Sequence, residues 1–135
     1  MRATPIVHTL VLAVSLLTAV HAFAADIDAL DDTTPKERAE AQTLMMKEKL
    51  GLSDAKVEKV RAINLKYAEK MEPVLKGSDG PLMKGREARN FQAQKEGELK
   101  AILSADEYKK YLASKEEMRQ QVIQRIYEQR AKGSH

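Results

Sequence analysis

Four segments of the chain carry apolar residues at intervals of three or four, the spacing that places them along one face of an α-helix. The second segment is the most regular, and its stripe consists of Val57, Val60, Ile63, Tyr67, Met71 and Val74. No segment alternates apolar and polar residues as a half-buried strand does. The sequence therefore predicts an all-α fold of about four helices.

The first helix is predicted to begin after Thr34 and to end at Gly51. Thr34 is a capping residue, Pro35 suits the first helical turn, and Glu37 can complete a capping box. Met46 is expected to point away from the buried face. That face is predicted to consist of Ala41, Leu44, Met45 and the stem of Glu48.

The second helix is predicted to begin after Ser53, which can cap it. Leu65 lies off its apolar stripe. Pro73 lacks a backbone N–H and clashes with the preceding turn, so we expect the helix to kink or stop there. A loop should follow, marked by Gly77, Gly80, Pro81 and Gly85.

The last two helices are predicted from residues 84–87 and from Ser104 onward. Lys95 lies in the middle of the third, whose apolar face should contain Ala88, Phe91, Leu99 and Ile102. Ser104 and Glu107 form a capping box at the start of the fourth. The apolar stripe of the fourth helix should contain Tyr108, Tyr111, Leu112, Met118, Val122 and Ile126. Ile123 is marginal to this stripe, and Tyr127 lies off it.

The amino-terminal residues have the pattern of a secretory signal peptide. Arg2 precedes an apolar stretch at residues 6–20, and Ala22-Phe23-Ala24 is a small-x-small cleavage site. An uncleaved membrane anchor is the alternative, but the stretch is shorter than the ~20 residues that a span needs. We therefore expect export to the periplasm, cleavage near Ala24 and no stable membrane insertion.

The remaining chain is predicted to form one domain. We expect a flexible acidic leader at residues 25–33, a helical domain at 34–130 and a flexible tail at 131–135, whose Gly-Ser-His end is typical of an expression vector. Apolar residues make up 43% of the chain and its net charge is +3, which permits a modest core. Disulfide scaffolds and multi-domain enzymes are excluded.

The chemistry available to this domain is limited. The chain has no Cys, and only one of its three His residues, His135, follows the predicted signal peptide. The usual nucleophiles, bases and metal ligands are therefore missing, and we predict no enzymatic activity, catalytic residue, cofactor or metal site. Lys and Arg are interleaved with Glu rather than clustered, so no nucleic-acid binding is predicted.

Two of the predicted helix starts share a motif, in which a leucine and a capping hydroxyl are followed by a polar residue three positions later. The two sets are Leu52, Ser53 and Lys56, and Leu103, Ser104 and Glu107. Together they resemble the LTxxQ repeats of the Spy and CpxP family of periplasmic stress proteins, over roughly residues 45–119. Ser replaces Thr in both repeats, and Lys or Glu replaces the final Gln.

This resemblance implies a thin, curved, hairpin-like helical domain that forms a homodimeric cradle. It implies an ATP-independent, holdase-type chaperone that binds unfolded or aggregation-prone exported proteins. Some members of the family instead restrain the periplasmic domain of an envelope-stress sensor kinase, and the sequence does not separate these two interpretations. Members that sense metals use His, which the predicted helices lack.

Three apolar residues fall off the predicted stripes and are candidates for a client or dimer surface: Met46, Leu65 and Tyr127. Lys47 and Lys66 lie next to two of them and could attract acidic segments over a distance. The alternative is that each apolar residue is an ordinary surface residue, since isolated exposed apolar side chains are common.

The signal peptide leads to a first prediction. The exported protein should begin near Ala25, because the cleavage site ends at Ala24. Intact-mass measurement of the exported protein tests this, and a mass that retains residues 1–24 would contradict it.

Overall fold

The computed structural model describes residue 30 and residues 32–133, and these contain four helices and no strand. Helix α1 spans Pro35–Leu50, α2 spans Asp54–Lys76, α3 spans Pro81–Ile102 and α4 spans Ala105–Gly133. The predicted all-α fold is confirmed. The predicted signal peptide and most of the predicted acidic leader lie outside the described residues.

The sequence around α1 determines both of its ends. The Thr34 N–H donates to Glu37 Oε2 at 2.8 Å, and the Glu37 N–H donates to Thr34 Oγ1 at 3.2 Å. The hydrogen bond from the Thr34 backbone is the main cause that holds the pKa of the Glu37 carboxyl below its ordinary value. At the other end, Gly51 has a φ of 64°, a left-handed conformation that favours glycine. The predicted bounds of α1 are confirmed.

The predicted single buried stripe of α1 is wrong. Leu44 is 40% exposed, whereas Met46, which was predicted to point away from the core, is only 3% exposed. The reason is tertiary, because α1 packs against both α2 and α4 and buries a face against each. Asn64 of α2 lies beside Met46, with 3.8 Å between Nδ2 and Sδ.

A buried arginine joins the segment before α1 to α2. Arg38 is 2% exposed, and its guanidinium donates to the carbonyl oxygens of Thr33 at 2.6 Å and Ala68 at 3.2 Å. It also forms an ion pair with Glu72. Thr33 is itself buried and donates from Oγ1 to the Leu30 carbonyl at 2.7 Å. The described end of the predicted leader is thus packed against the helices.

Helix α2 continues past the proline at which we predicted a kink or a stop. Pro73 lies inside the helix, which ends at Gly77. Leu75, in the last turn, is 2% exposed, and its carbonyl accepts a hydrogen bond from Lys84 Nζ at 2.8 Å. These contacts hold the final turn in place. A Cβ at Gly77 would lie 2.8 Å from the Pro73 carbonyl oxygen, so glycine suits the exit. The first four residues of the predicted α2 stripe are buried: Val57, Val60, Ile63 and Tyr67.

Helix α3 begins earlier than the predicted start at residues 84–87. It starts at Pro81, directly after Gly80, because proline suits a position whose N–H has no helical partner. The loop between α2 and α3 is therefore confined to residues 77–80, and Gly85 is a buried helical residue rather than part of the loop. Leu99 is fully buried, as predicted.

Helix α4 begins with the predicted capping box. The Ser104 N–H donates to Glu107 Oε2 at 2.9 Å, and the Glu107 N–H donates to Ser104 Oγ at 3.1 Å. The predicted stripe is partly wrong, since Leu112 is 44% exposed and Ile123, predicted to be marginal, is 7% exposed. The buried face of α4 is displaced because this helix packs chiefly on α1. Residues 131–133 of the predicted tail are helical, and the rest lies outside the described residues.

The two motif serines lead to a second prediction. Ser104→Ala should lower the free energy of unfolding by about 1 kcal/mol, because the Glu107 N–H loses its acceptor and only the backbone half of the capping box is left. Ser53→Ala should cost less, since Ser53 Oγ accepts only a long 3.4 Å bond from the Lys56 N–H. Chemical denaturation of the two variants measures the difference. Equal shifts, or a larger shift for Ser53→Ala, would contradict the capping-box argument.

Candidate functional site: a methionine-lined cleft

A half-open cleft of about 400 Å³ lies between α3 and α4, with α1 and α2 forming its floor. Few residues of the two outer helices, α3 and α4, approach each other. Between them, Gln92 Nε2 donates to the Tyr111 hydroxyl at 2.9 Å, and Lys115 pairs with Glu96 at 2.8 Å. Elsewhere along their lengths, α4 packs on α1 and α3 packs on α2, so the two outer helices diverge. The cleft is the space that this divergence leaves.

The wall of the cleft is mainly apolar and unusually rich in methionine. Four of the six methionines of the chain line it: Met45, Met46, Met71 and Met118. Tyr67 and Phe91 add aromatic surface, and Lys70 Nζ lies 5.0 Å and 5.9 Å from the centroids of their two rings. Methionine side chains are flexible and polarisable, so such a wall can adapt to apolar groups of different shapes.

A buried lysine lies in this apolar wall. Lys95 is 8% exposed, and its Nζ donates to Gln42 Oε1 at 2.6 Å. Burial lowers the pKa of Lys95 to about 8, because desolvation disfavours the charged ammonium. The neighbouring Glu96 only partly opposes this effect.

The other polar groups of the cleft are paired with one another. Burial raises the pKa of Glu96, but hydrogen bonds from Lys115 and Gln92 outweigh it and hold that pKa below its ordinary value. Burial also raises the pKa of the Tyr111 phenol, and the charge of Glu96 adds to the shift. Tyr111 is therefore a neutral hydrogen-bonding group at physiological pH.

The two motif repeats meet at the end of the bundle where the turns before α2 and α4 lie. Lys56 Nζ pairs with Glu107, at 2.7 Å from Oε2 and 3.0 Å from Oε1. This contact is the main cause of the lowered pKa of Glu107, followed by its bond from the Ser104 backbone. Leu52 and Leu103, the leucines of the two motifs, are both buried. The residues predicted as a family motif thus form a structural pair rather than part of the cleft.

The predicted client or dimer surface is not one continuous patch. Met46 belongs to the core and to the cleft wall. Leu65 is half-buried on α2, and Tyr127 is 47% exposed on α4, helices that both pack against α1. Lys47 pairs with Asp54 at 3.4 Å, and Lys66 donates to Glu98 at 2.6 Å. A client or dimer role for these four remaining residues stays a prediction.

Neither a metal site nor a membrane span is found in the part of the chain that the structure describes. Among residues 30 and 32–133, no three His, Cys, Asp or Glu side chains are grouped as metal ligands would be. None of the helices formed by these residues combines the length and the apolar character needed to cross a bilayer.

Sequence reasoning missed the cleft, although one signal pointed to it. A lysine in the middle of an apolar helix face is unusual, and Lys95 was recognised at that position on α3. The spacing of apolar residues shows which face of a helix is apolar, but not whether that face meets a partner helix. It therefore could not reveal that the face around Phe91 lines a cavity.

Comparison with known proteins gives one match. Residues 25–111 match a domain family of unknown function, DUF4890. No curated protein and no solved structure matches the chain.

The buried lysine leads to a third prediction. Lys95→Met should raise the free energy of unfolding at pH 7 by roughly 1–3 kcal/mol, because it removes a buried ammonium with only a neutral partner. The wild type should then gain stability as the pH rises from about 8 to 10.5. In that window the unfolded lysine still binds a proton and the folded one does not, so stability rises with pH.

Denaturation midpoints measured from pH 7 to 10.5 test this prediction. The advantage of Lys95→Met over the wild type should shrink across the window. Lys59→Met, which changes an exposed lysine on α2, is the matched control and should follow the wild type. A constant difference between Lys95→Met and the wild type would contradict the assigned protonation behaviour.

Proposed function

The chain belongs to the DUF4890 family of domains of unknown function, and we propose that it is an ATP-independent, holdase-type chaperone. The proposal is based on the cleft. The clients of this chaperone are unfolded or aggregation-prone exported proteins. The periplasm is the proposed location, on the basis of the signal-peptide pattern at residues 1–24. The resemblance of the two helix starts to LTxxQ repeats supports both parts of the proposal.

The methionine-lined cleft is the observation on which the proposal depends. A holdase must bind many apolar sequences weakly rather than one sequence tightly, and flexible methionine surfaces suit that task. The cleft is half open, so an extended client segment can reach its wall without threading through the bundle. Paired charges around the cleft, such as Glu96 with Lys115, keep the rim of the cleft polar and hydrated.

A homodimeric cradle is part of the proposal, as the resemblance implies. The exposed apolar side chain of Tyr127 on α4 and the half-buried Leu65 on α2 are the proposed dimer or additional client contacts. Lys47 and Lys66 would attract acidic segments toward this surface.

Aggregation of two unrelated, chemically unfolded proteins provides the fourth prediction. The protein should suppress light scattering by both clients at near-stoichiometric ratios without nucleotide. A cleft variant that combines Met71→Gln and Phe91→Gln should need several-fold more protein for the same suppression. Both residues line the cleft and are only half-buried, so the fold should tolerate the change.

Two matched variants separate the cleft from other apolar surface. Leu44→Gln with Leu82→Gln changes exposed apolar residues outside the cleft and should leave suppression unchanged. A variant that combines Leu65→Gln and Tyr127→Gln tests the proposed dimer or client contacts. Its molecular mass, measured by static light scattering without client, shows whether the dimer is lost. Circular dichroism confirms that each variant is folded.

The outcomes distinguish the hypotheses. Equal suppression by the cleft variant and the wild type would refute the role of the cleft. Failure of the wild type to protect either client would refute the chaperone proposal. Binding to one sensor-kinase periplasmic domain in the absence of such protection would instead support the regulatory interpretation.

A further inference from the structure

The cleft also carries charged side chains, which the chaperone proposal does not use. Five cationic side chains and only two carboxylates line the cleft. Three of the cations are paired with carboxylates, Arg38 with Glu72, Lys115 with Glu96 at 2.8 Å and Arg119 with Glu116 at 2.6 Å. The excess of positive charge is therefore carried by Lys95 and Arg89. The cleft therefore has an excess of positive charge beside an apolar wall, which favours an anionic ligand with an apolar body.

Lys95 is the group best placed to bind the anionic part. Its ammonium has three N–H donors, and the hydrogen bond recorded for it is to the neutral Gln42. Among the described residues it has no carboxylate partner within ion-pair distance. A buried cation of this kind is stabilised when a ligand supplies the missing negative charge.

We propose that the cleft binds a fatty carboxylate, with the carboxylate on Lys95 and the acyl chain along the methionine wall. Gln42 lines the cleft beside Lys95, and its amide nitrogen is a second donor for the same carboxylate. Met71 and Met118 belong to the apolar wall that the chain would contact. The volume of about 400 Å³ lies in the range of about 300–1,000 Å³ that is typical of small-molecule pockets.

The lowered pKa of Lys95 agrees with this geometry. Burial lowers that pKa to about 8, so the ammonium form still predominates at neutral pH and is available to an anion. A bound carboxylate would favour the charged form and raise the pKa again.

The test compares decanoate with decanol, which share a ten-carbon chain and differ in charge. The protein carries ¹³C in its methionine methyl groups, and both ligands are titrated at submillimolar concentration, where neither forms micelles. Decanoate should shift the signals of Met71 and Met118. The signal of Met83, which is 47% exposed and outside the cleft, should stay in place.

The affinity ratio tests the role of Lys95. The wild type should bind decanoate at least about tenfold more tightly than decanol, as expected for one charge-assisted contact. Lys95→Met should bring this ratio close to one while decanol still binds. Lys59→Met, the matched change of an exposed lysine, should keep the wild-type ratio.

Several outcomes would overturn the inference. These are equal affinity of the wild type for both ligands, cleft methionine signals that do not move, or a preference for decanoate that survives in Lys95→Met. The wild-type measurements decide the question even if the variant fails to fold. Selective decanoate binding by a protein that protects no client would support this inference and refute the proposed function, so the two failures are distinguishable.

Discussion

The packing of α1 against two helices is the constraint on which the rest of the structure depends. Helix α1 has only 16 residues, yet it buries one face against α2 and another against α4. Because α4 packs chiefly on α1, α3 makes few contacts with α4 and packs mainly on α2. The apolar face of α3 around Phe91 therefore borders a cleft instead of a partner helix.

The two buried faces of α1 differ in their chemistry. Toward α2, the core contains a polar pair, in which Asn64 Nδ2 donates to Thr43 Oγ1 at 3.0 Å. Buried Arg38, at the start of α1, adds an ion pair with half-buried Glu72. Such directional contacts hold a helix in one register, whereas apolar contacts alone tolerate sliding. The cleft side is lined by flexible methionines instead, so the fold combines a defined α1–α2 interface with an adaptable surface.

The two similar helix starts form complementary parts of one contact. At Ser104, the glutamate three residues later completes the capping box. At Ser53, the equivalent residue is Lys56, which cannot accept a hydrogen bond and pairs across the bundle with Glu107 instead. Glu107 thus accepts a hydrogen bond in the capping box of its own helix and also pairs with Lys56 at the start of α2.

The sequence by itself determined the local features of the protein. The capping boxes at Thr34 and Ser104 and the left-handed Gly51 depend on residues within a few positions of each other. The α2 stripe was also predictable, because its spacing is regular and its first four residues face the core. A distant contact supports the end of α2: the helix does not stop at Pro73, and its last turn is held by Lys84 from the next helix.

Only the tertiary structure decided which faces are buried and where the cleft lies. Met46 and Leu44 exchanged their predicted roles because α1 has two partner helices, and no pattern within α1 specifies their number. The position of Lys95 in an apolar stripe was visible in the sequence, but its contact with Gln42 joins residues 53 positions apart. Helical periodicity reports the direction of a side chain around its own axis. It does not report whether that direction leads to another helix, to solvent or to a cavity, because this depends on how distant helices pack.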